Sequence, residues 1–184
     1  MFRILQLLLA FSQTSPQIPA TPAPGNQVAV ISTSLGDITV ELFKDKAPVS
    51  VENFLSYALE GFYTGTIFHR VVRGFVIQGG FLQTRREPLD EKQQAYVRPL
   101  PPEFNPTPHD KGTLSMARGA DPASADTSFF IVTARTPGLD NQYTVFGRVV
   151  EGLDVMEKIE AVPVNGEAPV TRIEVARVTV VRPQ

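Results

Sequence analysis

The side chains best suited to chemistry lie in one short stretch, FHRVVRGFVIQGG, which spans residues 68–80. Within thirteen residues it places a cation, Arg70, an amide, Gln78, and several large apolar side chains, without a hydroxyl or thiol nucleophile. If the stretch folds as a strand pair, Arg70, Phe75 and Gln78 line one shallow groove. Such a groove can hold an apolar ring and polarise a carbonyl. That suits a reaction without covalent bond changes, such as rotation about the peptide bond before a proline.

The segments that precede this stretch predict a hairpin and a helix. Two β-prone runs, at 28–33 and 38–43, flank a Gly-Asp turn and indicate a β-hairpin. Apolar residues recur at helical spacing over 51–59. Ser50 is the predicted N-cap of this helix, and Gly61 lies where a C-terminal stop belongs.

The segments that follow complete a mainly β pattern. Residues 81–111 are proline-rich and show no sustained periodicity, and so long a loop is usually functional or mobile. This loop either covers the groove or adds a contact surface. A second helix is predicted over 153–161, and many short strands with two helices predict a closed β-barrel capped by helices. Strand-like runs lie at 66–72, 75–78, 112–117, 129–133, 143–150 and 172–181.

Composition excludes several classes of function. The chain has 184 residues, a net charge of -2 and scattered basic residues, which argues against nucleic-acid binding. It has no cysteine, so disulfides, thiolate zinc sites and cysteine nucleophiles are excluded. The two histidines, His69 and His109, lack the spacing of metal ligands, and we expect no structural or catalytic metal.

The first 27 residues differ from the rest of the chain. Arg3 precedes a short apolar run, 4–11, which is too short to span a bilayer and is typical of a secretory signal. We predict a signal peptide at 1–12, with a disordered or mis-assigned N-terminus as the alternative. Residues 13–27 read as a proline-rich linker or tail that is uncoupled from the folded domain, predicted at 28–182. A signal implies a periplasmic or secreted protein, and the alternative implies a cytoplasmic one. We expect no stable membrane insertion.

The common hydrolase and nucleotide-binding motifs do not occur. The chain has no Gly-x-Ser-x-Gly elbow, P-loop, Gly-x-Gly-x-x-Gly or His-Glu-x-x-His. Ser115 and Ser128 lie in or beside strand-like runs, and the sequence pairs neither with a base. A serine hydrolase stays a minor alternative, because catalytic triads are assembled in space rather than along the chain.

Four ordered blocks resemble the cyclophilin-type peptidyl-prolyl cis–trans isomerases, in a bacterial-like form. They are FHRVVRGFVIQGG at 68–80, GTLSMAR at 112–118, TSFFI at 127–131 and the stretch 139–147, within a resemblance that runs from about Val28 to Val181. The resemblance implies a closed eight-stranded antiparallel β-barrel capped by two α-helices, without a cofactor. It implies isomerisation of Xaa-Pro bonds in unfolded or flexible polypeptides, and we expect a monomer that assists protein folding.

The resemblance also assigns site residues. Arg70 matches the family's catalytic arginine, and Gln78 would orient Arg70 or the substrate backbone. Two positions depart from the family pattern: Ser128 replaces a usual glutamine, and Gly138 replaces a frequent tryptophan, so we predict weak cyclosporin binding. A binding module that does not accelerate isomerisation is the rival hypothesis. The matched substrate-binding positions are Phe75, Val76, Ala117, Arg118, Ser128, Phe130, Leu139 and Tyr143.

Overall fold

The computed structural model describes residues 22–181. The predicted signal peptide at 1–12, residues 13–21 of the predicted tail and the last residue of the predicted domain lie outside this range. The part of the predicted tail that the structure describes, residues 22–27, contacts the folded domain at Glu41. Ala23 N and Asn26 Nδ2 donate hydrogen bonds to the Glu41 carboxylate, at 2.6 and 2.8 Å. The prediction that the tail is uncoupled is therefore wrong at these two residues. Within 22–181, no helix is long and apolar enough to cross a membrane.

An eight-stranded antiparallel sheet dominates the fold and confirms the mainly β prediction. Its strand order is β10-β1-β2-β7-β5-β6-β4-β3, and β8 and β9 form a separate two-stranded hairpin. The strands are β1 Gln27–Thr33, β2 Gly36–Leu42, β3 Arg70–Val72, β4 Val76–Gly79, β5 Thr113–Met116, β6 Phe129–Val132, β7 Val145–Glu151, β8 Val164–Asn165, β9 Ala168–Pro169 and β10 Val175–Val181.

The sheet curls into a half-barrel, so the expectation of a closed barrel was overstated. Its edge strands are β3 and β10. At the seam, the backbones just before these strands meet through one isolated bridge between Ile67 and Glu174. Phe68 N donates to Ile173 O there, at 3.0 Å. The strand predicted over 66–72 begins only at Arg70, because residues 66–68 bond across the seam to residues 173–175.

Within the described residues 22–181, three α-helices accompany the sheet, where two were predicted. They are α1 Pro48–Leu59, α2 Glu91–Tyr96 and α3 Leu153–Glu160. Helix α2 lies in the proline-rich segment for which no periodicity was found. Its signal is a capping box, in which the Asp90 carboxylate accepts from Gln93 N and the Gln93 side chain accepts from Asp90 N. Six residues are too few to show an apolar period, so only the cap was readable.

Helix α1 is capped by a residue distant in sequence, so the prediction of Ser50 as its N-cap is wrong. The N-cap position is Ala47, which has no capping side chain. Instead, the Glu103 carboxylate accepts hydrogen bonds from Val49 N, Ser50 N and Ser50 Oγ, at 2.6 to 2.9 Å. These bonds satisfy donors that a helix N-terminus leaves free, and the negative charge complements the helix dipole. The proline-rich segment thus supports α1. The predicted stop is confirmed, because Gly61 has a φ of +70° just after the helix.

The main core fills the concave side of the sheet. Phe54 of α1 lies among the rings of Tyr63, Phe129 and Phe146, with centroids 5.2 to 5.6 Å apart. All four residues of strand β6 are apolar, because both faces of this strand are covered. Phe129 and Ile131 enter the main core, and the alternate residues of β6 face the other side of the sheet.

Candidate active site

The outer face of strands β4 to β6 carries a second apolar cluster, here named the outer cluster. Alternation along the strands places it: Ile77, Phe129 and Ile131 point into the main core, whereas their neighbours point outward. The structure thereby brings together six of the predicted substrate-binding residues. The outer cluster consists of the buried Val76, Ala117, Phe130 and Val132, against which Phe75, Leu139 and Tyr143 pack.

Val132 was not among the predicted site residues, although strand alternation could have placed it there. It lies two residues after Phe130 on β6, and residues at that spacing share one face of a strand. Among the residues of β6, the resemblance assigned only Phe130 to the site. Val132 is fully buried in the outer cluster. It therefore belongs to the apolar wall of the site.

Arg70 and Gln78 stand at the edge of the outer cluster. They are direct partners in the β3–β4 ladder, so their side chains share one face of the sheet. Arg70 Nη1 donates to Gln78 Oε1 at 3.4 Å, and the guanidinium carbon lies 6.0 Å from the centre of the Phe75 ring. The strand pair that was predicted from the sequence is confirmed, and it joins the cation, the amide and the apolar ring.

Arg70 has a further partner that the sequence analysis did not find. Its Nε and Nη2 donate to the two carboxylate oxygens of Glu167, at 2.6 and 3.2 Å. These hydrogen bonds lower the pKa of Glu167. Glu167 follows Asn165-Gly166, a dipeptide that is a strong hairpin signal and was not used.

Arg118 forms one wall of the site together with Tyr143. The guanidinium carbon lies 4.4 Å from the centre of the Tyr143 ring, within the range of a cation–π contact. Arg118 Nη2 donates to Gln142 O at 3.0 Å, and its Nη1 donates to Gly119 O at 2.9 Å. These bonds hold the cation against the ring, so Arg118 and Tyr143, which were matched in two separate blocks, form one packed unit.

A pocket of about 230 Å³ adjoins the outer cluster. Its lining includes Gln78, Ala117, Arg118 and Ser128, so the structure places Ser128 beside the other predicted residues. The proline-rich segment contributes Phe81, which lies at the pocket while Glu103 of the same segment caps α1. The segment therefore borders the pocket at one end and packs on helix α1 further along, and whether it covers the groove or adds a contact surface stays a prediction.

The position of Gly138 leaves one side of the site open. Gly138 belongs to the short 3₁₀ turn Pro137–Leu139, next to a residue of the outer cluster. A Cβ atom built on Gly138 would meet no atom within 4 Å. The backbone therefore has room for a side chain to begin at this position.

A Ser-His-Asp arrangement lies beneath the outer cluster. His109 Nε2 is 3.2 Å from Ser115 Oγ, and His109 Nδ1 is 3.1 Å from Asp140 Oδ1. No base for Ser115 was evident from the sequence, and the structure places His109 beside it. However, His109 and Ser115 are both 0% exposed, and Ser115 Oγ donates to Thr144 O at 2.8 Å. A buried hydroxyl with another acceptor cannot reach a substrate, which removes the support for a hydrolase at this place.

This buried network supports the floor of the outer cluster. The His109 and Phe130 rings are stacked, with centroids 6.1 Å apart and planes 20° apart. Burial lowers the pKa of His109. The Arg135 guanidinium, followed by bonds from His109, holds the pKa of Asp140 at about 2. A neutral imidazole thus fills the space below Phe130. Among residues 22–181, no three or more His, Cys, Asp or Glu side chains are grouped as metal ligands would be.

Comparisons with known proteins agree with this arrangement. A sequence model of the family "Cyclophilin type peptidyl-prolyl cis-trans isomerase/CLD" matches residues 28–180. A peptidyl-prolyl cis-trans isomerase of Acinetobacter baylyi is 42% identical over 149 residues, which cover 78% of this chain and 77% of that protein. Peptidyl-prolyl cis-trans isomerase A of Dickeya dadantii is 39% identical over 173 residues, which cover 91% and 88%.

Solved structures agree as well. A Cryptosporidium parvum cyclophilin-type isomerase, crystallised in the presence of the dipeptide Ala-Pro, superposes with a TM-score of 0.76. The two chains are 30% identical, and the match covers 85% of this chain and all of the other. The chain belongs to the cyclophilin-type peptidyl-prolyl cis-trans isomerase family, and its prediction as an enzyme of this class is confirmed.

Proposed function

We propose that this chain accelerates rotation about Xaa-Pro bonds in unfolded or flexible polypeptides by stabilising a twisted amide without covalent chemistry. The observation that most directly supports this proposal is the Arg70–Gln78 pair beside the outer cluster. One edge of a shallow apolar site thus presents a permanent cation, and the rest of the site can hold a proline ring. Because these groups lie on neighbouring strands, their geometry is set by the sheet rather than by a mobile loop.

The electrostatic part of the mechanism belongs to Arg70. Amide resonance gives the peptide bond a rotation barrier of about 18–20 kcal/mol, so uncatalysed exchange before proline takes on the order of 10–100 s. Twisting the bond localises the nitrogen lone pair, and that nitrogen becomes a better hydrogen-bond acceptor. A guanidinium that donates to the twisted amide stabilises it more than the planar ground state, and such a difference accelerates the reaction. Gln78 would keep the guanidinium turned toward the substrate.

The apolar part of the mechanism belongs to the outer cluster. Phe75, Phe130 and Leu139 would hold the proline ring while the N-terminal side of the bond rotates. Phe130 is only 5% exposed and rests on His109, so the floor resists displacement. Tyr143, packed on Arg118, would close the ring pocket. Ala117, Val76 and Ser128 would contact the chain next to the proline.

The structural relative crystallised with Ala-Pro supports a proline-containing partner for this fold. For the chain described here, we extend that partner to unfolded or flexible polypeptides, because the site is an open groove rather than an enclosed cavity. A proline of a folded protein could reach the groove only if it lay on a flexible segment. The enzyme would act as a monomer.

Exchange NMR on an Ala-Pro peptide tests the proposal, with wild type and Arg70→Ala measured side by side. The expected result is faster cis–trans exchange with wild type and a loss of roughly a hundredfold or more in the variant, as for other groups that stabilise transition-state charge. Loss of peptide affinity without any wild-type acceleration would favour the binding module instead. The replacements at Ser128 and Gly138 motivate that second candidate.

The predicted signal peptide gives a separate proposal on location. We place the mature protein outside the cytoplasm, where it would assist the folding of exported chains, because Arg3 and the apolar run 4–11 resemble a secretory signal. The mass of the native protein tests this. A chain that lacks residues 1–12 is expected, and an uncleaved N-terminus would contradict the proposal and favour the cytoplasmic alternative.

A further inference from the structure

Glu167 lies in a tight turn that is attached to the edge strand of the site. The turn connects β8 and β9, with Gly166 and Glu167 as its two central residues. Gly166 has a φ of +64°, as the first central residue of such hairpin turns requires. The Glu167 carbonyl oxygen accepts from Val71 N at 2.7 Å. This backbone bond fixes the turn on β3 without help from the Glu167 side chain.

The carboxylate of Glu167 occupies one edge of the Arg70 guanidinium. Nε and Nη2 both donate to it, and the opposite edge, with Nη1, faces Gln78. A two-point contact between these planar groups sets the orientation of the guanidinium plane as well as its position. Nη1 and Nη2 each carry a second N–H that these bonds to Gln78 and Glu167 do not use, and these N–H groups stay available to a substrate.

Two opposing effects follow from this contact. The carboxylate fixes the direction of a long side chain that otherwise samples many rotamers. The same carboxylate also offsets part of the positive charge that the reaction uses. The Glu167 side chain is 56% exposed and that of Arg70 is 34% exposed, so water screens their charges strongly. Screening weakens the charge effect and leaves the geometric effect, so orientation dominates.

We infer that Glu167 is a positioning residue of the isomerase reaction, which holds the Arg70 guanidinium toward the twisted amide through a bidentate contact. The inference rests on the proposed function and adds a residue that no motif of the sequence pointed to. It makes the β8–β9 hairpin part of the active site. Substrate binding depends on the outer cluster, so Glu167 acts on turnover and leaves substrate affinity unchanged.

Kinetic measurements on Glu167→Ala and Glu167→Gln test the inference. Line-shape analysis over a range of Ala-Pro peptide concentrations separates kcat from KM. Glu167→Ala is expected to lower kcat about tenfold at unchanged KM. The loss is smaller than the roughly hundredfold that a misplacement of about 1 Å can cause, because Arg70 keeps its bond to Gln78. Glu167→Gln is expected to lose less, since its amide oxygen still accepts from Arg70 Nε. Glu157→Gln is the matched control: it removes an exposed ion pair, to Lys111, and should behave as wild type.

The NMR signal of the Arg70 Nε–H group gives a readout that does not depend on activity. In wild type we expect a slowly exchanging signal, because Nε donates to Glu167. Glu167→Ala should shift it and speed its exchange with water, while Glu157→Gln should leave it unchanged. An unchanged signal in Glu167→Ala would overturn the inference, and so would a kcat equal to or above that of wild type.

The same set of variants separates this inference from the proposed function. If wild type and Arg70→Ala are equally inactive, the proposed function fails and the inference fails with it. If wild type is active, Arg70→Ala is inactive and Glu167→Ala matches wild type, the inference alone is refuted. Thermal unfolding of each variant checks that the fold is intact, which we expect because Glu167 anchors the turn through its backbone.

Discussion

Arg70 on β3 lies directly opposite Gln78 on β4, and Arg70 Nη1 donates to Gln78 Oε1 at 3.4 Å. The amide oxygen is thus the acceptor on the groove side of the guanidinium. This pairing ties two residues eight positions apart into one unit of the site.

Gln78→Ala should impair turnover without unfolding the protein. The substitution removes the acceptor that directs Nη1, so we expect kcat to fall roughly tenfold while Arg70 remains present. Exchange NMR on an Ala-Pro peptide measures the effect. Gln78→Glu keeps an acceptor at that place and should retain more activity than Gln78→Ala; the reverse order would show that Gln78 does not act through Arg70.

Phe130→Ala should cost both stability and substrate affinity. Phe130 is buried between His109 below and the outer cluster around it, so the truncation leaves a cavity and removes the pocket floor. We expect a loss of about 3–5 kcal/mol in the free energy of unfolding, measured by urea denaturation. Phe130→Leu, the milder control, should lose less stability and still bind peptide. Unchanged peptide affinity in a folded Phe130→Ala would contradict its place in the pocket.

Mild acid should destabilise the protein through His109. Burial lowers the pKa of this imidazole in the folded state below its ordinary value of 6.5. The unfolded state therefore binds more protons, and the contribution of His109 is present above pH 6.5 and is lost as the pH falls from there through the folded-state pKa. Burial also lowers the pKa of His69, which acts in the same direction.

Urea midpoints at several pH values check this expectation. Wild type should lose stability as the pH falls below 6.5. His109→Gln should flatten that slope, and the double variant with His69→Gln should flatten it further. A His109→Gln slope as steep as that of wild type would show that other groups carry the acid sensitivity.

Gly138→Trp should tighten cyclosporin binding. The glycine leaves free space on one side of the site, and its φ is not positive, so the backbone accepts a larger residue. We expect weak binding by wild type and stronger binding by the variant, whose indole would add apolar contact and a fluorescence signal. Titration measures both. Nanomolar affinity of wild type would contradict the prediction, and Ser128→Gln shows how much the second departure contributes.

The local elements and most of the site were predictable because short-range patterns encode them. Alternation at 38–43 and helical spacing at 51–59 describe faces that a strand or helix buries whatever its partner. The block 68–80 gathers Arg70, Phe75 and Gln78 on one hairpin, so these three could be placed together before any tertiary contact was known.

Three features were missed or misassigned because the deciding contact was long-range or the element was very short. Ser50 was taken as a cap, but Glu103 binds the helix N-terminus from 53 residues away. The sequence paired no base with Ser115, but the fold places His109 beside it. Helix α2 was missed because six residues cannot display a helical period, and only the Asp90–Gln93 cap marked it.

By itself, the sequence determined a mainly β domain, the side chains available for chemistry and the hairpin that carries Arg70 and Gln78. The tertiary structure alone decided that the barrel is open at the β3–β10 seam, that His109 supports Phe130 and that Glu167 binds Arg70 from 97 residues away. The physical reason is that periodicity records which face of an element is buried. Which distant residues meet on that face depends on strand register and on how the sheet curls.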